Sequence, residues 1–175
     1  PDLKAIFELE LSIPQKWVGL SNSRIQNQVK KDGKLLVKFN RTSLISTYLF
    51  AFAVGDFKKV SKTKNGRTLN FYHRESDTSK IKSNVDTIFN IHFTAIEWME
   101  KYTGVRFPFE KIDFIAIPSF QFSGMEHVGA IFYRSSRIFL SKSATLEDVL
   151  KRSLIISHEV SHMWFGDLVT MKWFD

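Results

Sequence analysis

The chain contains no cysteine. Disulfides and thiolate metal ligands are therefore excluded, and the compartment is left open, with the cytoplasm as the expectation. No apolar stretch approaches the roughly 20 residues that a membrane-spanning helix needs, and no signal-peptide pattern opens the chain. A membrane segment is thus not expected here. The first residue is Pro1 rather than Met, so the sequence is also compatible with an upstream segment that carried such a signal. Internal repeats and low-complexity tracts are missing. The net charge of +7 is not accompanied by a nucleic-acid motif or by aromatic–basic interleaving, and nucleic acid is not an expected partner. Much of the positive excess lies in Lys30-Lys31, Lys58-Lys59, Lys62, Lys64 and Arg67. It reads as solvated strand edges and hairpin tips, where Lys discourages pairing with other chains.

What is present suits a packed fold. Of 175 residues, 43% are hydrophobic and 25% charged, and 17 Phe and 4 Trp supply core material. Phe7, Leu9 and Leu11 alternate with Glu8 and Glu10, the period of a half-buried strand, which Pro14 ends. Leu35, Val37 and Phe39 alternate again. The continuous apolar run Tyr48–Val54 predicts a strand buried on both faces, broken by Gly55-Asp56. Asn65-Gly66 predicts a tight hairpin between Phe57–Val60 and Thr68–Tyr72. After Ser79 the period changes. Ile81, Val85, Ile88, His92, Ile96 and Met99 recur every three or four residues, predicting a long amphipathic helix that Gly104 caps. Ile112–Ile117, Ala130–Tyr133 and Arg137–Leu140 read as strands. A last helix is expected from Thr145, with Asp148 completing a variant capping box, through His162 to a stop near Gly166. Strands, then helix, strands and helix make the class α+β, the end of a β domain followed by the start of a mixed one. The boundary is expected near Gly55 to Lys62, giving units 1–57 and 58–175.

The last helix carries the chemistry. In His158-Glu159-Val160-Ser161-His162 the two histidines stand four apart, so they project from one face and two imidazoles can reach one cation. Zinc suits imidazole nitrogen. Glu159 lies one position round the helix, beside the pair, where it can act on a zinc-activated water without ligating the metal. Zinc lowers the pKa of water toward about 7, and a carboxylate can take its proton during attack and pass it to a leaving amine. A chance HExxH among surface residues is the competing reading. The apolar flanks Leu154-Ile155-Ile156 and Met163-Trp164-Phe165 oppose it, because a buried helix cannot hold unpaired His and Glu cheaply. The metzincin pattern needs Gly and His where Phe165 and Leu168 stand. Asp167 is either an acidic third ligand or a residue at the helix end.

The run HEVSHMWFGDLVTMKWFD, His158 to Asp175, resembles the catalytic helix and following segment of the aminopeptidase N family of zinc peptidases, which includes the leukotriene hydrolase. Ser123-Gly124-Met125-Glu126-His127 resembles that family's exopeptidase motif, usually Gly-Ala-Met-Glu-Asn or Gly-Gly-Met-Glu-Asn. Segments from Pro1 and from Tyr48 to Phe57 resemble its N-terminal β domain. The resemblance implies a thermolysin-like catalytic domain from residue 58. It implies Zn2+ on His158 and His162, Glu159 as general base, and peptides with a free N-terminus as substrates. Glu126 would then bind the substrate's α-ammonium, with Ser123, Gly124, Met125 and His127 lining the same subsite.

Three features depart from the family pattern. Ser123 replaces the usual first Gly, a small change. His127 replaces the usual Asn, and either keeps a hydrogen bond to the loop or adds a titratable group beside the amine. The family's third zinc ligand, a Glu, and its transition-state Tyr would fall after Asp175. A second amine-binding residue would fall before Pro1. The resemblance therefore implies an interior fragment, weak in zinc binding and in turnover by itself. A non-catalytic scaffold that keeps the fold is the alternative. A zinc hydrolase with an additional non-peptide substrate is a third reading. Oligomeric state and the preferred N-terminal residue are not readable.

Overall fold

A computed structural model describes residues 1–173. The first 55 residues form small antiparallel sheets, with one turn of 3-10 helix at Thr47–Leu49. β1 (Lys4–Ala5) pairs with β6 (Ile45–Ser46), and β3 (Val18–Ser21) with β7 (Phe52–Gly55). β2 (Glu10–Pro14), β5 (Lys34–Phe39) and β4 (Ile25–Lys31) form a three-stranded sheet in that order. The expected alternation from Phe7 is only partly regular. The ladder begins at Glu10, while Phe7 and Leu9 accept isolated backbone bonds from Thr42 and Phe39.

Two segments correct the sequence expectation. Tyr48–Val54 is not one strand. Thr47–Leu49 is a turn of 3-10 helix, β7 starts at Phe52, and the Phe52 side chain is 51% exposed. An apolar run carries no period, so it cannot reveal a turn inside it. Arg137–Leu140 is not a strand either. Ser135–Ile138 is a short helix, α2, and the Leu140 amide and carbonyl are taken by the side chain of Asn84 at 3.0 and 2.9 Å. With its backbone satisfied by a side chain, this segment has no need of a ladder.

From Lys58 a five-stranded mixed sheet is built in the order β11 (Gly124–Met125), β12 (Ala130–Arg134), β10 (Asp113–Ile117), β9 (Arg67–His73) and β8 (Lys58–Lys64). β8 and β9 form the expected hairpin, with Asn65 and Gly66 both at positive φ, +52° and +77°, the type I′ requirement. The lysine runs lie on strand edges, where their charge opposes pairing with another chain: Lys30 and Lys31 on β4, and Lys58, Lys59, Lys62 and Lys64 on β8, both edge strands.

α1 (Thr78–Thr103) starts on the Asp77 carboxylate, which accepts from the amides of Ser79 and Lys80, and ends at Gly104. Its buried face (Val85, Ile88, Phe89, Phe93, Ile96, Met99) packs with Phe71, Phe114, Ile131 and Tyr133 of the sheet and with Ile156 and Val160 of α3 (Leu146–His162). The capping box of α3 is present, Thr145 and Asp148 exchanging side-chain and backbone bonds. α3 is buried on one face only, since Leu146, Leu150 and Leu154 are exposed, Leu154 to 70%. The apolar residues flanking the HExxH run thus do not make a fully buried helix. Sequence shows that they are apolar, but only packing decides which of them are covered.

Candidate metal and substrate site

α3 ends beside β11, the edge strand of the sheet, and this juxtaposition brings the two sequence motifs together. His158 and His162 stack one turn apart with their Nε2 atoms 3.1 Å apart and their rings nearly perpendicular. The Nδ1 of His162 lies 3.0 Å from the carbonyl oxygen of Phe165. A carbonyl can only accept, so Nδ1 carries the proton and the Nε2 lone pair is left free to ligate, the usual outer-shell arrangement of a metal-bound histidine. Two imidazoles on one tetrahedral zinc, at about 2.0–2.1 Å each, would have their nitrogens about 3.3 Å apart. The observed spacing fits a shared cation. Among the described residues, His158, Glu159 and His162 form a group whose potential ligand atoms all lie within 4.8 Å of one another.

Glu159 is 3% exposed, on the inner side of the helix. Its carboxylate lies directly against Gly124, where an added Cβ would sit 2.3 Å from Oε1. The HExxH helix and the Gly124–Met125 strand are therefore in contact through the carboxylate itself. Burial, with Glu126 nearby, raises the Glu159 carboxyl to about 8, so the metal-free site holds a proton there near neutrality. A bound cation reverses this logic by favouring the ionised form.

β11 is held in place by β12, with Gly124 opposite Tyr133 and Met125 opposite Phe132. The Ser123 carbonyl accepts from the Arg134 amide, and the Arg134 guanidinium ties down the carbonyls of Phe120 and Gln121. Glu126 follows, and its Oε1 accepts a hydrogen bond from the Tyr48 hydroxyl at 3.1 Å. His127 is buried, packed edge-on to Phe132 with ring centroids 4.8 Å apart, with the Leu49 backbone beside its ring. Desolvation lowers its pKa, so it stands neutral. Its Nδ1 is buried without a hydrogen-bond partner.

Asp167 is not in the metal group. It is buried, neither carboxylate oxygen has a hydrogen-bond partner, and burial with Glu126 nearby raises it to about 9. Its backbone amide instead closes the helix end on the His162 carbonyl at 3.0 Å, the second of the two positions expected for it. Sequence reasoning missed Tyr48 and Asn22 altogether. Asn22 donates from Nδ2 to the carbonyls of Leu49 and Val128, and accepts from the Ala51 amide, all at 2.9 Å. A buried Asn with every bond satisfied carries no local sequence signal.

A helix with paired histidines and a buried acid against an edge strand is the arrangement of a metal-dependent hydrolase, and comparison with known proteins agrees. Residues 87–175 match the peptidase family M1 domain, and residues 1–49 match the peptidase M1 N-terminal domain. Relatives align over the whole chain. They include probable aminopeptidase 1 of Sulfurisphaera tokodaii at 33% identity, endoplasmic reticulum aminopeptidase 1 of Mus musculus at 35%, and aminopeptidase N of Streptomyces lividans at 34%. The alignments cover 22%, 19% and 20% of those proteins, so the chain spans about a fifth of their length. The chain belongs to peptidase family M1, a family of metallopeptidases.

Proposed function

We propose that the intact protein is a zinc aminopeptidase that removes N-terminal residues from peptides. The observation that carries this reading is the pair of imidazole nitrogens converging at 3.1 Å, one of them with its tautomer set by the Phe165 carbonyl. His158 and His162 would hold the metal. Catalytic zinc sites use three protein ligands, so a further ligand would come from outside this chain. When bound, the ion supplies a water with a lowered pKa and polarises the scissile carbonyl.

The remaining work belongs to this chain's residues. Glu159 takes the proton of the attacking water and returns it to the leaving amine. Its contact with Gly124 supports this role, because the base then lies beside the strand that the substrate would follow. Among the described residues β11 has one unpaired edge, on which an extended peptide can align through its backbone. Glu126 would receive the α-ammonium, an ion pair that restricts cleavage to the first peptide bond. Ser123, Gly124 and Met125 would line that subsite, with His127 buttressing it. The domain boundary in this reading falls between residues 57 and 58, where pairing passes from β7 to β8.

The test is Glu159→Gln in the intact protein. Hydrolysis of aminoacyl-anilides should be lost while metal analysis still finds one zinc per chain. Retained turnover, or loss of zinc with the substitution, would refute the assignment of Glu159 as base rather than ligand.

A further inference from the structure

The loop that carries Glu126 is matched, residue by residue, by segments that precede residue 56. The Tyr48 hydroxyl donates to Glu126 Oε1 at 3.1 Å. The neighbouring Leu49 backbone lies beside the His127 ring. Asn22 Nδ2 bridges the carbonyls of Leu49 and Val128 at 2.9 Å each. Gly129, at a φ of +68°, packs so tightly on Asn22 that a Cβ would lie 2.3 Å from the Asn22 carbonyl oxygen. Four consecutive residues, 126 to 129, therefore each meet a residue of the first unit. The Tyr48 ring is not free to swing, because it packs on the cluster of Ile45, Leu49 and Val128, beside Phe7 and Phe109. A carboxylate in a loop needs a fixed donor if it is to stay aimed.

We propose that Tyr48 is a positioning residue for Glu126: its hydroxyl fixes the carboxylate that receives the substrate's ammonium, so that the N-terminal β unit builds part of the amine subsite. This rests on the role proposed above for Glu126. Tyr48 acts only through that carboxylate and touches no reacting atom. Its burial raises its pKa above the ordinary tyrosine range, so the hydroxyl remains a donor at every working pH.

The experiment uses the intact, zinc-loaded protein and Tyr48→Phe, which keeps the ring in its cluster and removes only the hydroxyl. KM for the aminoacyl-anilide best cleaved by the wild type should rise about tenfold, as expected for loss of a hydrogen bond to a charged group. The value of kcat should stay within about twofold, since ammonium binding is shared by ground and transition states. Calorimetric affinity for the corresponding amino acid amide should fall by the same factor, and that for its desamino analogue should not change. Zinc content and melting temperature should hold. An unchanged KM, or equal weakening of amide and desamino analogue, would overturn the proposal. If Glu126→Gln removes the amine preference and Tyr48→Phe leaves it intact, Tyr48 alone is refuted. A wild type without amine preference would instead sink the reading of Glu126, and this proposal with it.

Discussion

His92 predicts an acid-labile fold. It sits fully buried in α1, its ring stacked on Phe114 with centroids 3.8 Å apart. Its Nδ1 donates to the Ile88 carbonyl at 2.8 Å, and its Nε2 accepts from the Tyr133 hydroxyl at 3.1 Å. The neutral ring is fully satisfied. A protonated ring would turn Nε2 into a donor facing a hydroxyl, with no carboxylate bonded to it among the described residues. Desolvation accordingly lowers its pKa from 6.5 to about 4. Between those values the unfolded chain binds a proton and the folded chain does not, so stability rises with pH and is lost as pH falls from about 6.5 to about 4. At 1.36 kcal/mol per pH unit the loss reaches about 3 kcal/mol, and below pH 4 this group adds nothing more. Native proteins hold roughly 5–15 kcal/mol in reserve, so the effect is large. Buried His73 and His127, also lowered by desolvation, act in the same direction. The control that isolates His92 is the double substitution His92→Phe/Tyr133→Phe, which removes both partners of the hydrogen bond together. Urea unfolding of both proteins at pH 7.5 and pH 4.5, followed by tryptophan fluorescence, gives the comparison. The wild type should lose about 2–3 kcal/mol more than the double variant over that interval. Equal losses in the two proteins would refute the reasoning.

Two further expectations follow from the loop that carries Glu126. Glu126→Ala should collapse the preference for free over N-acetylated substrates while zinc content holds, and a preference equal to wild type in competition kinetics would count against its role. Asn22→Ala should cost about 2–4 kcal/mol in chemical denaturation, because two carbonyls and the Ala51 amide lose their buried partner. Asn22→Asp should be at least as harmful, since an oxygen would then face the carbonyls of Leu49 and Val128; near-wild-type stability of either variant would contradict the bonding described.

Local rules account for what was legible. The β8–β9 hairpin followed from Asn65-Gly66, and α1 from a 3.6 period between Asp77 and Gly104. The start of α3 followed from Thr145 with Asp148 three residues on. His158, Glu159 and His162 were readable for the same reason: helical spacing by itself puts the two rings on one face. Apolar runs without a period were not legible. The turn at Thr47–Leu49 hides in such a run, and the helix at Ser135–Ile138 in a stretch too short to show a period; the backbone bonds beside them, Thr47 to the Leu3 carbonyl and Leu140 to the Asn84 side chain, come from far along the chain.

By itself the sequence determined the ligand pair, the acid beside it and the motif around Glu126, because residue type and short spacing are properties of a single segment. It could not say that Glu159 lies against Gly124, that His127 lies beside the Leu49 backbone, or that Tyr48 reaches Glu126 across 78 positions. Those contacts join residues whose separation along the chain carries no periodic signal. Only the packing of α3 on the sheet edge, and of the first strands on the loop after β11, brings them within reach of hydrogen bonds.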